Sequence, residues 1–285
     1  MKRLYVLVLF FSVLFVSGFS QTKAVSRDNP PYKEYALKTV DYVPEMYEKE
    51  SNGMKSPSLR VYLPSAKEAN GKMVILLPGG GYRGLALDRE GYDWAPFFLD
   101  RGFAVGVLKY RMPEGHNTVP MTDVKAAFDL VKSNAKDWHI NKDSIGIMGS
   151  SAGGHLASTY ATHTEKEDRP AFQILLYPVI TMDIEHCHRG SRDNLLGENP
   201  SEGLVSMYSN EKRVDDNTPK AFIIFAADDK VVPPINGLMY VNALIERGIP
   251  VTFLLYPKGG HGFGFNDSFI YKKEFLMELS RWLEE

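Results

Sequence analysis

A serine that attacks a carbonyl needs a base to take its proton, an acid to orient that base, and hydrogen-bond donors for the oxyanion that forms. This chain carries residues of all four kinds. Gly149-Ser150-Ser151-Ala152-Gly153 is a Gly-x-Ser-x-Gly pattern, with the apolar residues Ile145, Ile147 and Met148 before it and the start of a helix (Leu156, Ala157, Ser158, Thr159, Tyr160) after it. Its central serine, Ser151, sits at a tight strand-to-helix turn where its hydroxyl is a candidate nucleophile, and glycine on either side lets strand and helix approach closely. Gly79-Gly80-Gly81 follows an apolar run ending at Leu77, Asp228-Asp229 follows one ending at Phe225, and His261 follows one ending at Tyr256. Ligands of a parallel sheet bind outside the carboxyl ends of its strands, so these four stretches are expected to meet at one edge. The chain order is then Ser151, Asp229, His261, with Asp228 as the alternative acid. Oxyanion donors would be the backbone N–H groups of Ala152 and of the triglycine stretch.

The elements that must position these residues are legible as periodicity. Leu37 to Val43 and Leu59 to Leu63 alternate apolar and polar residues, as half-exposed strands do, with a turn over Ser51 to Ser56 between them. Met73 to Leu77, Ala104 to Leu108, the run before Gly149, Phe172 to Tyr177, Ala221 to Phe225 and Val251 to Tyr256 are apolar almost throughout, the signature of strands buried on both faces. Helices are expected over Gly91 to Arg101, from Pro120 with Met121, Val124, Phe128 and Val131 on one face, over Asn236 to Arg247, and at the C-terminus with Phe269, Leu276, Leu279, Trp282 and Leu283 on one side. Strands alternating with helices predict an α/β fold: a mainly parallel eight-stranded sheet covered on both faces, its two amphipathic strands nearer the edge. One domain over 36–285 accounts for the pattern. Thr181 to Asn217 has no sustained period and reads as a cap or excursion, a wall for the leaving-group side.

Composition sets further bounds. The chain has 285 residues, 44% of them apolar and 24% charged, and a formal net charge of −2 gives no electrostatic reason to expect a nucleic-acid partner. Lys2 and Arg3, the apolar run Leu4 to Val16 and the small residues Ser17, Gly18 and Ser20 describe a secretory signal peptide over 1–20, followed by a polar tail or linker over 21–35. The run is short for a membrane span, so no stable insertion is expected once the signal is removed. Cys187 is the only cysteine, which excludes an internal disulfide and, with a signal peptide, favours a bacterial periplasm or exterior. Gly79, Gly81 and Gly84 spell a dinucleotide fingerprint, but the next strand ends in Lys109-Tyr110-Arg111 where an acid should hold the ribose. His186-Cys187-His188 lacks further ligands at metal-site spacing and reads as a loop cluster. No metal or organic cofactor is called for. His155, one helical turn after Ser151, is expected to pack beneath the turn. The block Arg83 to Tyr92 reads equally as a solvated loop or as part of the cleft, and Tyr82, directly after the triglycine, is expected to line the pocket as a substrate-binding residue.

Together Pro78-Gly79-Gly80-Gly81-Tyr82, Lys109-Tyr110-Arg111, Gly149 to His155, Asp228 to Pro233 and Gly259 to Gly264 resemble the α/β-hydrolase superfamily of esterases and lipases, from about Leu59 to the C-terminus. Within it the chain is similar to the bacterial carbohydrate-esterase-like branch, many of whose members are acetylxylan or feruloyl esterases. The resemblance implies a catalytic Ser151, Asp229 and His261, the acid four residues before Pro233 being Asp229, and oxyanion donors at Gly80, Gly81 and Ala152. Relatives often have histidine where this chain has Pro78, so a side-chain hydrogen bond to that loop is lost here. The implied activity is a secreted or periplasmic serine esterase that removes acetyl or other acyl groups from plant polysaccharide, oligosaccharide or a small ester. The alternatives are an exopeptidase of the same superfamily and a non-catalytic binding protein with this fold.

Overall fold

The computed structural model describes residues 30–39 and 56–285. The expected signal peptide, most of the tail and the turn before Ser56 lie outside the described residues. The first described strand, β1 (Lys33–Ala36), begins inside the stretch read as a tail, before the strand expected from Leu37. It pairs antiparallel with β2 (Ser58–Tyr62), Lys33 opposite Val61. Pairing with β2, rather than its own alternation, sets where this short and mostly exposed strand lies.

Next come β3 (Met73–Leu77), α1 (Ala95–Leu99), β4 (Ala104–Lys109) and α2 (Thr118–Asn134). They are followed by β5 (Ile145–Ser150), α3 (Ala152–His163) and β6 (Gln173–Leu176). The excursion contains α4 (Arg189–Leu196) and α5 (Glu202–Met207), and the chain closes with β7 (Ala221–Ala226), α6 (Ile235–Glu246), β8 (Val251–Tyr256) and α7 (Lys272–Glu284). Pro120 falls in the first turn of α2, where its missing N–H costs no helix bond. The eight strands form one sheet in the order β1-β2-β4-β3-β5-β6-β7-β8. Only the β1–β2 and β2–β4 pairings are antiparallel; all others are parallel. This is the expected α/β-hydrolase architecture. The amphipathic strand expected over Leu59 to Leu63 lies next to one edge as β2, whereas the edge itself is β1 and not the strand expected over Leu37 to Val43, of which 37–39 form no strand and 40–43 lie outside the described residues.

Helices cover both faces. Successive strand residues point to opposite sides, and Phe222 of β7 meets Phe275 and Trp282 of α7 while Phe225, three residues on, lies against Gly237 of α6. On α2 and α3, Phe128 stacks on Tyr160 at 4.7 Å. All five side chains of β3 are fully buried, each contributing roughly 1.5–3 kcal/mol by leaving water. Rigid central strands result, and β3, β5, β7 and β8 end at the same sheet edge. Among the described residues no helix is long and apolar enough to cross a membrane.

Candidate active site

Ser151 follows β5 and precedes α3 with φ 53° and ψ −120°, a conformation that costs a side-chain-bearing residue about 1–3 kcal/mol. Its surroundings enforce it. The Ser151 N–H donates to Leu176 O at 2.9 Å, and its carbonyl accepts from the N–H groups of His155 and Val179 at 3.0 and 3.1 Å. Both pattern glycines are needed for space: a Cβ on Gly149 would lie 2.1 Å from Gly153 O, and one on Gly153 would lie 2.0 Å from Leu77 O.

The three residues expected from separate strand ends meet. Ser151 Oγ lies 2.9 Å from His261 Nε2, and His261 Nδ1 lies 2.7 Å from Asp229 Oδ2. The other carboxylate oxygen of Asp229 accepts from the N–H groups of Val231 and Val232 at 2.9 and 3.0 Å. An acceptor-only carboxylate holds the imidazole proton on Nδ1, which leaves Nε2 with a lone pair aimed at the serine hydroxyl. Asp228 does something else: its Oδ1 accepts from Gly260 N–H at 2.8 Å and so braces the loop that carries His261. Between the two acids, geometry selects Asp229.

Facing Ser151, the triglycine loop turns through Gly80 at φ 142° and Gly81 at φ 65°. Gly80 has no room for a side chain, since a Cβ there would lie 2.1 Å from Gly84 O. Among the described residues, the N–H groups of Gly80, Gly81 and Ala152 have no protein acceptor; the last is the first N–H of α3, at the positive end of the helix dipole. Turns rather than a helix follow Gly84, so the fingerprint spacing presents no helix N-terminus to a pyrophosphate.

Support for this loop comes from residues that pattern reasoning missed. Glu90 Oε2 accepts from Gly79 N–H at 2.8 Å, Tyr110 Oη donates to Pro78 O at 2.6 Å, and Asn194 Nδ2 of α4 donates to Gly81 O at 2.8 Å. Three bonds thus support the loop that begins at Pro78. Glu90 is buried, and its Oε1 accepts from Tyr177 Oη at 2.8 Å while Tyr177 Oη accepts from Gly264 N–H at 2.9 Å. The Tyr177 ring stands edge-on to His261 at 4.8 Å. Burial, reinforced by Glu90, raises the Tyr177 phenol well above its ordinary value, so it remains a donor. Glu90 and Tyr177 therefore tie the oxyanion-side loop to the histidine loop.

Tyr82 corrects an expectation. Its own φ of 58° turns the ring under the loop, where it is 1% exposed and its hydroxyl meets His155 Nδ1 at 2.9 Å. It buttresses the turn from below and does not line the cleft. The cleft, about 460 Å³, is bounded instead by Ser151, His261, Arg83, Arg89, His188 and Asn194. The excursion thus supplies a wall through α4, while its later part packs inside: Asn210 donates to His155 O, Ser158 Oγ and Thr159 Oγ1.

His155 lies beneath the serine turn, as its position one helical turn on implies. Its Nε2 donates to Tyr208 O at 2.8 Å, and Nδ1 accepts from Tyr82 Oη. Burial lowers its pKa from 6.5 to about 4. Between those values the unfolded chain binds the extra proton and the folded one does not, so stability falls as pH drops below 6.5 and this loss is complete near pH 4. The expected loss is roughly 3 kcal/mol. Urea unfolding of the wild type and of His155→Gln at pH 7 and pH 4.5 isolates it; an equal pH dependence in both proteins would refute the assignment.

The match with known proteins extends from the fold to its sequence. A 40% identical acetylxylan esterase of Xylanibacter ruminicola aligns over 227 residues, 78% of this chain and 47% of that protein. Endo-1,4-beta-xylanase B of Butyrivibrio fibrisolvens is 34% identical over 75% of this chain and 36% of its own length. The chain therefore spans about half or less of these curated relatives. Among solved structures, an acetyl ester-xyloside bifunctional hydrolase from Caldicellulosiruptor lactoaceticus superposes with a TM-score of 0.79 at 31% identity, covering 88% of this chain and 95% of that one. The BD-FAE family model matches residues 59–244, a span holding the triglycine loop, Ser151 and Asp229, and the chain belongs to the BD-FAE family.

Proposed function

We propose that this protein is a serine carboxylic-ester hydrolase that removes acetyl groups from xylan-type polysaccharide or its oligosaccharides. The observation that carries this reading is the unbroken chain Asp229–His261–Ser151 opposite the N–H groups of Gly80, Gly81 and Ala152. The relatives named for acetylxylan and acetyl-ester hydrolysis support the ester and xylan assignment.

His261 Nε2 takes the Ser151 proton as Oγ attacks the ester carbonyl carbon. Asp229 holds the imidazole by Nδ1 and stabilises its charge once protonated. The carbonyl oxygen, now an oxyanion, is held by the three amides, which need no reorganisation because their loop is already braced. The imidazolium protonates the leaving alcohol, the acyl group stays on Ser151, and water releases acetate by the same route.

Secretion belongs to the same proposal and rests on the charged start and short apolar run of residues 1–20. N-terminal sequencing of protein recovered from its native host should begin at Gln21. The activity itself is tested by acetate and ferulate release from acylated xylan fragments. Acetate release is expected; ferulate release without acetate release would overturn the acetyl assignment. A fluorophosphonate probe should label the folded protein at Ser151.

Glu90 supplies a further prediction. In Glu90→Gln one amide oxygen remains, so either Gly79 N–H or the Tyr177 hydroxyl loses its acceptor. Leaving a buried donor unsatisfied costs about 1–3 kcal/mol, and the resulting shift of the oxyanion loop should lower kcat about ten- to a hundredfold. Steady-state kinetics on an aryl acetate checks this, an unchanged kcat counting against the brace.

A further inference from the structure

His188, the last residue of the loop cluster His186-Cys187-His188, borders the cleft beside Ser151 and His261. As the residue before α4 it caps that helix: Nδ1 accepts from Ser191 N–H at 3.2 Å and lies 2.8 Å from Ser191 Oγ. A backbone N–H cannot accept, so Nδ1 must offer its lone pair and the ring proton sits on Nε2. Burial and the neighbouring His261 hold the ring's pKa below its ordinary value, which keeps it a neutral donor. The Nε2–H has no partner among the described residues. The ring lies over the oxyanion loop, with Cε1 3.7 Å from where a Cβ on Gly81 would stand. Gly190 also lies beside the ring, where a Cβ would stand 3.3 Å from Cε1 and 3.8 Å from Nε2; glycine leaves that space open.

An acetyl group offers one acceptor, its carbonyl oxygen, and the three amides take it. Any acceptor for a further donor in the cleft must therefore be on the alcohol portion, which in a sugar ester means a hydroxyl or a ring oxygen. We infer that the Nε2–H of His188 is a fixed hydrogen-bond donor to the carbohydrate portion of the substrate and a specificity-determining group of the cleft. This rests on the proposed sugar-ester activity.

The test separates the donor from the cap. Asparagine mimics Nδ1 and is a good helix cap but does not reach the Nε2 position, whereas glutamine places an amide N–H near it and gives up the cap. The readout is the ratio of kcat/KM on monoacetylated xylobiose to kcat/KM on 4-nitrophenyl acetate, with active enzyme counted by fluorophosphonate titration. In His188→Asn the ratio should fall about tenfold, the loss of one net hydrogen bond, and in His188→Gln it should recover to within about threefold of wild type. A ratio unchanged within about twofold in His188→Asn overturns the proposal, as does a fall that glutamine fails to restore, which would assign the effect to the imidazole ring's shape and not to its N–H. A wild-type enzyme that cleaves the aryl ester and not the sugar ester defeats the substrate reading, and the carbohydrate donor with it.

Discussion

Ser151→Ala should lose at least about 10,000-fold in kcat on a small aryl acetate and all fluorophosphonate labelling, while melting within a few degrees of wild type. The two halves of this expectation have different origins. Activity disappears because the nucleophilic oxygen is gone, and neither His261 nor the amides can form an acyl-enzyme without it. Stability persists because among the described residues Oγ bonds only to His261, whereas the strained backbone at φ 53° is held by main-chain bonds to Leu176, His155 and Val179 that alanine keeps. His261→Ala should fall nearly as far, and the double variant little further, because groups that act as a unit are not additive. Asp229→Asn would present a donor to Val231 or to His261 in place of an acceptor, favouring the wrong imidazole tautomer. Turnover retained by Ser151→Ala after removal of contaminating esterase would refute the nucleophile assignment and the proposed mechanism with it.

What the sequence disclosed was whatever the sheet dictates. Strands buried on both faces must be apolar throughout, so Met73–Leu77 and Ala221–Ala226 announced themselves, and residues just past their ends were brought together by topology alone. Three kinds of feature were illegible, each for a physical reason. β1 is a short edge strand, mostly exposed, whose position follows from its partner β2. The direction of Tyr82 depends on a positive φ that side-chain pattern does not encode. Glu90 sits outside any regular element, so no periodicity marks it, and although Tyr177 closes the apolar run from Phe172, the partners of its hydroxyl arrive on loops from distant strands. The block Arg83 to Tyr92 reads equally as solvated loop or cleft; only the fold shows that the partners of Glu90 are Gly79 and Tyr177. The structure therefore adds little to which residues are brought together as candidates for the chemistry, and much to what holds them at working distance.

Part of that holding is a close approach of two main chains, and Gly153→Ala, which places a side chain in it, is expected to have a large effect on stability. A Cβ on Gly153 would stand 2.0 Å from Leu77 O and 2.7 Å from both Leu77 C and Pro78 O. All three are backbone atoms, at the end of β3 and the beginning of the oxyanion-side loop, so no side-chain rotation can relieve the clash. Either α3 lifts from the sheet or the end of β3 retreats. Both break packing in a fully buried region, at an expected cost of about 3 kcal/mol or more. Both also separate the N–H of Ala152 from those of Gly80 and Gly81, because the clash lies between the elements that carry them. Fluorophosphonate labelling of the fraction that still folds should therefore slow by about a hundredfold. Gly203→Ala is the matched control: among the described residues nothing beyond its own helix backbone and chain neighbours lies within 4 Å of its added Cβ, and it sits in α5, where alanine favours the helix by roughly 0.5–1 kcal/mol. Denaturant unfolding of the two variants should move in opposite directions. A Gly153→Ala protein as stable as wild type would mean that α3 does not approach β3 this closely, and the placement of Ala152 opposite the triglycine loop would fall with it.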